Sequence, residues 1–504
     1  MNGGQFSSLI DRAGQPVGNA PLGALLSAHA LATPDAPALT ISDRSWSFAA
    51  LDARANRRAR QLADQAGVGV GDRVMIAMPN RVEFVETAFA IWKLGAVPCP
   101  ASWRMAADEL TQLIALLTPR VVVGTSALPP LDVPLVNVDD TPVESWSDAP
   151  LPPRAVVPGK IVNSGGSTGR PKLIVDPEPS AWGPDKEGRS RPARIVLLNP
   201  GPLYHSAPFS YVTMSLAQGS HVICLERFDP LEWLRAVERY RPSFAYVVPT
   251  MMARIAKLPR EVTAAADLSS IVTLLHMAAP CAPEVKRWWI SRIGPEKVIE
   301  VYGGTERIGA TIINGAEWLE HPGSVGRAAP GEQIIILDEE GAQLPPGQVG
   351  EIFFRRAVQP GSQYGYIGAA TRIRGDLDSF GDLGWLDADG YLHIADRRTD
   401  MVVVGGVNVY PAEIEAAIEA LPGVLCAAVI GLPDADMGNR LHAIVELAAE
   451  TEEPADGIAF LAPAMVRLST IKRPRSVEFT RERVRDDAGK LRRSRLRLER
   501  LERG

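Results

Sequence analysis

Cysteine is scarce. Cys99, Cys224, Cys281 and Cys426 are the only four in 504 residues, and no two stand in Cys-x-x-Cys spacing. That pattern gives neither a disulfide framework nor a zinc site, and it suits a reducing cytosol. Histidine is nearly as sparse, seven in all, with no His-Glu-x-x-His pair to hold a catalytic metal. No apolar run approaches the roughly 18 residues a membrane span needs. The N-terminus lacks the charged stretch and apolar core of a secretory leader. A cytoplasmic chain without an integral membrane segment is therefore expected. Excess basic charge is missing too: 53 Lys and Arg against 59 Asp and Glu leave −6, which argues against a general nucleic-acid binder. The local exception, Arg492 to Arg503, reads as a solvated helix face or tail.

What is present is the composition of a soluble globular protein, 46% hydrophobic and 22% charged. The chain is too long for one ordinary core, so two or more domains are expected. Strand and helix signals alternate from the start. Leu22, Leu25, Leu26, Ala30 and Leu31 fall at helical spacing, 38–41 reads as a strand, and Ser47 caps a second helix. Residues 73–78 read as a buried strand, Asn80 with Glu83 as the start signal of the next helix, and Gly95 as its end. Further strands are expected near 195–198, 244–248, 271–277 and 298–302, and Asp229-Pro230 opens a helix running through Tyr240. Such alternation implies a parallel sheet covered by helices. Residues 331–398 change style, with short strands and Gly/Pro turns that predict an antiparallel subdomain. The Pro-rich stretch 127–153 reads as a peripheral loop, and 176–193 as an exposed insertion. The expected fold is α/β. A large N-terminal domain, 1–398, carries helix-covered mixed β-sheets and the antiparallel β subdomain. A small α+β C-terminal domain fills 399–504.

The chain is organised around Ser164-Gly165-Gly166-Ser167-Thr168-Gly169-Arg170-Pro171-Lys172, flanked by the apolar runs 160–162 and 173–175. That is a strand, a polar turn and a strand. Its glycines let the backbone approach a bulky anion. Successive N–H groups in such a turn form a concave anion site. Ser164, Ser167 and Thr168 add hydroxyl donors, and Lys172 adds a point charge. The plain alternative is a flexible Gly/Ser surface turn, and the stiff, basic Arg-Pro-Lys ending argues against it. Without a Gly-Lys-Ser/Thr ending or a following helix, the loop is neither a Walker A loop nor a dinucleotide fingerprint.

Other stretches carry chemistry downstream. Tyr302-Gly303-Gly304-Thr305-Glu306 follows a strand, which puts Thr305 and Glu306 at the sheet edge where α/β ligand sites lie. Glu306 offers oxygen to Mg2+ and Thr305 a donor to phosphate; the alternative is a capping Thr-Glu pair. Gly381-Asp382-Leu383-Gly384 presents one carboxylate on a tight turn, ordinarily the mark of a turn former. Asp396-Arg397-Arg398-Thr399-Asp400 joins the two units. Gly489-Lys490 alone reads as an exposed turn, and His205 alone as a packed or surface histidine.

In this order, these stretches resemble the motifs of the adenylate-forming superfamily, which includes acyl-CoA synthetases, peptide-synthetase adenylation domains and firefly luciferase. The resemblance covers essentially the whole chain. It implies that Ser164, Gly165, Gly166, Ser167, Thr168, Gly169 and Lys172 cradle the phosphates of ATP. Tyr302, beside Gly303, would stack on adenine, in a pocket lined by Ala278, Ala279 and Pro280. Thr305 would contact the α-phosphate, Glu306 would bind Mg2+, Asp382 the ribose hydroxyls, and Arg397 ribose and phosphate. Lys490 would reach the carboxylate and the α-phosphate. His205 falls in the segment at the mouth of the acyl pocket, in a gating or positioning role. The C-terminal domain would swing about a hinge and present Gly405 and Gly406 to the pantetheine tunnel. Two departures stand out. Thr399 occupies the hinge position, commonly Asp or Lys, and 483–486 lacks the usual Pro-(Arg/Lys)-Thr that braces the Lys490 loop.

The implied activity is ATP-dependent conversion of a small carboxylic acid to an acyl-adenylate. Transfer to the thiol of CoA then gives acyl-CoA, AMP and pyrophosphate. Mg2+ is required, and the protein would be a monomer or homodimer. The loop and the segment Ala278–Cys281 look like those of bacterial fatty-acid, aromatic-acid and bile-acid CoA ligases, so aromatic, fatty and steroidal acids all stay in play. An amine or a separate carrier protein is the alternative acceptor. A non-catalytic nucleotide-binding relative is a further alternative, opposed by the retention of Lys172, Thr305, Glu306, Asp382, Arg397 and Lys490.

Overall fold

A computed structural model describes residues 6, 8–11, 15–165, 171–183, 194–397, 400–466, 468–486 and 489–503. Among these residues the largest sheet has nine strands. Its centre runs parallel in the spatial order Val298–Gly303, Thr273–His276, Phe244–Val247, Val196–Asn199, His221–Cys224, Pro37–Ile41. Antiparallel strands close both edges, Ala310–Asn314 with Arg327–Ala328 on one side and Arg44–Ser47 on the other. A second, four-stranded parallel sheet is ordered Val97–Pro100, Arg73–Ala77, Val121–Gly124, Leu135–Asn137. Its central strands are unbroken apolar runs because they are covered on both faces. The helices Leu22–Ala32, Val82–Leu94 and Ser206–Ala217 share one apolar core with strands of both sheets. No described helix is long and apolar enough to cross a membrane.

Local sequence explains most boundaries. Ser47 accepts a hydrogen bond from the Ala50 amide, and Asp229 accepts from Leu231 and Glu232 ahead of Pro230. Gly95 ends its helix at φ +73°. Asn80 departs from its expected role: it does not cap the helix that starts at Val82. Its buried amide donates to the carbonyls of Gly201 and Leu225, and its oxygen accepts from the Leu203 amide. Three long-range bonds outcompete one local cap. The described part of the expected insertion is packed from Ser180 on, while Pro177 and Pro179 are exposed as expected. Ala181–Trp182 pairs with Ala20–Pro21, and Ser180, Ala181 and Trp182 are buried. The remainder, 184–193, lies outside the described residues.

The central hairpin forms as expected. Lys160–Gly165 and Pro171–Asp176 pair antiparallel, from Lys160↔Asp176 to Gly165↔Pro171. Gly365–Ile367 adds a third strand, placing Tyr366 opposite Ile174. Gly166, Ser167, Thr168 and Gly169 lie outside the described residues, as does the side chain of Ser164. A six-stranded antiparallel sheet within 332–397 matches the predicted subdomain.

Beyond it lies a smaller unit. Val424–Asp434, Gly438–Leu447 and Ser476–Thr480 make a sheet backed by the helices Pro411–Glu419 and Gly457–Met465. A separate hairpin, Val402–Val404 with Val407–Val409, turns at Gly405 and Gly406. The basic tail is a helix, Arg493–Arg503, but not simply a solvated one. Arg493 is inserted among Asp400, Glu415 and Asp396, and Arg500 pairs with Glu478. Arg398 and Thr399 lie outside the described residues.

Candidate active site

The site begins where the strand Val298–Gly303 leaves the large sheet. Gly304 makes the turn that follows. A Cβ there would lie 2.4 Å from the Phe380 ring and 2.8 Å from Oε2 of Glu306, so only glycine fits. The turn delivers Thr305 and a buried Glu306 beside the hairpin. Lys172 Nζ lies 3.4 Å from Oε1 of Glu306. Tyr366 was not anticipated, yet it joins the two. Its hydroxyl donates to Oε1 at 2.6 Å and accepts from Lys172 at 3.2 Å, with Nζ 4.5 Å from the ring centroid. Burial and the adjacent Glu306 hold the Tyr366 phenol far above its ordinary pKa, so it remains a donor. No sequence signal linked this aromatic strand to a glutamate sixty residues earlier.

Tyr302 and Asp382 form a second pair. The Tyr302 hydroxyl donates to Oδ2 of Asp382 at 2.6 Å, and Arg397 Nε lies 3.5 Å from Oδ1. Burial raises the pKa of both partners. Arg397 and the hydrogen bond from Tyr302 oppose the rise at Asp382. Phe354 and Phe380 flank the Tyr302 ring. Ala278 is held at φ +80°, a costly conformation for a residue with a side chain, at the segment Ala278-Ala279-Pro280 that lines the same cleft.

Lys490 comes to this place from the C-terminal unit. Its amide donates to Asp486 Oδ1, and the Gly489 amide donates to the Asp486 carbonyl. Arg485 braces the turn at the Gly489 carbonyl and is itself paired with Glu419. Asp486 and Arg485 thus do the bracing that the missing Pro-(Arg/Lys)-Thr was expected to do; Asp487 and Ala488 lie outside the described residues. Gly489, at φ +75°, would carry a Cβ 3.0 Å from the Thr250 hydroxyl, which shows how closely the turn seats on the large domain. Arg254–Glu446, Arg492–Glu109 and a hydrogen bond from Lys257 to the Val424 carbonyl hold the two units together. Lys490 is open to cleft water but crowded by protein at longer range. That crowding lowers its pKa, and Arg397 and Lys172 lower it further against the pull of Asp486 and Glu306.

These groups line one continuous cleft of about 3120 Å³. It brings together Lys172, Ala278, Ala279, Pro280, Tyr302, Gly303, Thr305, Glu306, Asp382, Arg397 and Lys490, and it reaches His205. His205 opens the helix Ser206–Ala217 with its ring against Tyr204. Nearby, Tyr211 stacks almost parallel on Phe244 and Tyr246, with centroids 5.9 and 5.5 Å away. The Gly405–Gly406 turn is not part of this lining and faces Met437 instead.

The sequence matches the family described as AMP-binding enzyme over residues 26–364, and the AMP-binding enzyme C-terminal domain over 413–490. A feruloyl-CoA synthase from Amycolatopsis sp is 33% identical, covering 94% of this chain and 98% of its own length. The long-chain-fatty-acid–CoA ligase FadD13 of Mycobacterium tuberculosis is 31% identical over 89% of this chain and 92% of its own. The crystal structure of ATP-bound MatB from Rhodopseudomonas palustris superposes with a TM-score of 0.75 at 28% identity, covering 95% of this chain and 99% of that one. Both domain types are matched in order and these relatives align over nearly their whole length, so the chain belongs to the AMP-binding enzymes, as an AMP-forming acid–thiol ligase that activates a carboxylic acid with ATP and passes it to CoA.

Proposed function

We propose that the acid is aromatic and that adenylation is carried by Lys490, Lys172, Thr305 and Glu306, with Asp382 and Arg397 holding the ribose. The observation that carries this reading is that Lys490 lines the same cleft as Glu306, Lys172 and Arg397. A carboxylate oxygen must approach the α-phosphorus while the bond to pyrophosphate breaks, and both reactants are anions. Lys490 and Lys172 supply positive charge where negative charge concentrates, fixed in place before reaction. The residues fit Mg2+: Glu306 is a hard oxygen donor, and no hydrogen bond falls on its Oε2 among the described residues. When bound, the metal neutralises phosphate charge. The Tyr302 hydroxyl fixes Asp382 so that its remaining lone pairs face the sugar.

Aromatic specificity is supported by Tyr211 and Tyr246, which both line the cleft with their rings stacked at 5.5 Å, by Tyr204 against His205, and by the likeness to a feruloyl-CoA synthase. His205 is proposed to position the acid at the pocket mouth. Thiol attack on the adenylate then expels AMP. For that step the C-terminal unit would pivot near Thr399, releasing Arg254–Glu446 and Arg492–Glu109 and bringing Gly405 and Gly406 to the pantetheine arm.

Lys490→Ala is expected to slow acid-dependent ATP–pyrophosphate exchange by about 10²–10³ with the fold intact. Exchange at the wild-type rate would overturn the assignment.

A further inference from the structure

Glu306 and Lys172 carry opposite charges, and the reaction needs them on different partners, the metal and the phosphates. In the structure they are paired with each other at 3.4 Å. Tyr366 stands between them on a strand that neither motif contains. Its hydroxyl takes Oε1 of Glu306 at 2.6 Å and receives Lys172 at 3.2 Å, so one phenol engages both. The strand is fixed by pairing with the hairpin itself, Tyr366 opposite Ile174. Tyr364 meets the Tyr366 ring edge-on at 5.0 Å and donates to Asp378, which limits rotation of the ring.

We propose that Tyr366 is a positioning residue that clamps Oε1 of Glu306, turns Oε2 toward the metal–nucleotide, and holds Lys172 as the stand-in cation until that complex arrives. This rests on the roles given above to Glu306 and Lys172. With a metal bound, Glu306 would find its countercharge there, and Lys172 would be free to turn to phosphate. The phenol keeps its bond to Oε1 throughout, so the carboxylate need not be re-aimed. The charge at Glu306 is balanced in both states, and the hydroxyl spares the carboxylate an unpartnered interval in a partly buried site.

Tyr366→Phe removes the hydroxyl and leaves the ring. Calorimetric titration of ATP into the protein at a series of Mg2+ concentrations reads the consequence without any acid present. The Phe variant is expected to need about tenfold more Mg2+ for half-maximal ATP affinity, with an unchanged melting temperature and, in turnover, an unchanged KM for the acid. In a Glu306→Gln background the same change is expected to add nothing, because Tyr366 acts through that carboxylate. An unchanged Mg2+ requirement, or an equal effect with and without Glu306, would overturn the proposal. If wild-type protein binds no Mg2+–ATP at all, the reading of the site fails instead.

Discussion

Lys490 carries the chemistry in the proposed reading, and its surroundings make a pH prediction. Crowding in the cleft and the nearby cations Arg397 and Lys172 favour its neutral form. The proposed role needs the ammonium, which is lost as pH rises through the lowered pKa. Adenylation is therefore expected to fall along an alkaline limb lying below the 10.5 of an ordinary lysine. The residual activity of Lys490→Ala should lack that limb, and a pyrophosphate-exchange profile from pH 6 to 10 checks it. Lys490 was marked in the sequence only by the family resemblance, since Gly489-Lys490 alone reads as an exposed turn. Its partners were not, because Arg397, Glu306 and Lys172 approach it only through tertiary structure. Tyr366 was illegible for the same reason: a tyrosine in a short strand carries no mark of the glutamate it holds.

At the scale of elements, caps and periodicity set most boundaries where local chemistry had no competitor, as at Ser47, Asp229 and Gly95. Reading by local pattern failed at Asn80, whose amide is spent on three distant backbone groups. It failed again at 180–182, where Trp182 belongs to the core despite a loop-like sequence. The basic tail shows the same limit. Arg493 bonds Glu415 at 2.6 and 3.0 Å and Asp400 at 2.5 Å, and lies 3.8 Å from Asp396. Burial pushes the Asp396 carboxyl up to about 6, with Arg493 opposing. The guanidinium thus ties the C-terminal helix to carboxylates on both sides of 398–399. Arg493→Ala leaves those carboxylates uncompensated and is expected to cost about 3–5 kcal/mol. Urea unfolding followed in the C-terminal unit would read the loss. An effect within about 0.5 kcal/mol, the range of an ordinary surface substitution, would contradict the clamp.

For the whole molecule, what matters is that the C-terminal unit is seated with Lys490 in the cleft. Among the described residues the polar contacts that seat it are partly exposed, as the proposed pivot of the unit would need. Arg254–Glu446 is a single pair at 3.4 Å. Glu446 is buried but also accepts from the Val484 amide, so it keeps a partner without the partly exposed Arg254, and the pair contributes roughly 1 kcal/mol. Arg254→Ala is therefore expected to slow the adenylation half-reaction by about twofold to fivefold, while thioester formation from preformed acyl-adenylate is not slowed. Equal slowing of both steps would show that the pair supports the fold rather than this arrangement. The two-unit architecture was legible in the change of pattern near residue 400. Which face of the small unit meets the large one was not, because Arg254, Lys257 and Glu109 are ordinary surface charges in the sequence.

The central claim is that this cleft joins a carboxylic acid to CoA through an adenylate. It is tested most directly by mass spectrometry of the protein with ATP, Mg2+, CoA and a pool of aromatic, fatty and steroidal acids. The expected result is an aryl-CoA with AMP and pyrophosphate in equal amounts, and no product from Lys490→Ala above about a hundredth of that yield. An acyl-adenylate that never becomes a thioester would contradict CoA as acceptor, and no acid-dependent AMP with any acid would contradict the account as a whole.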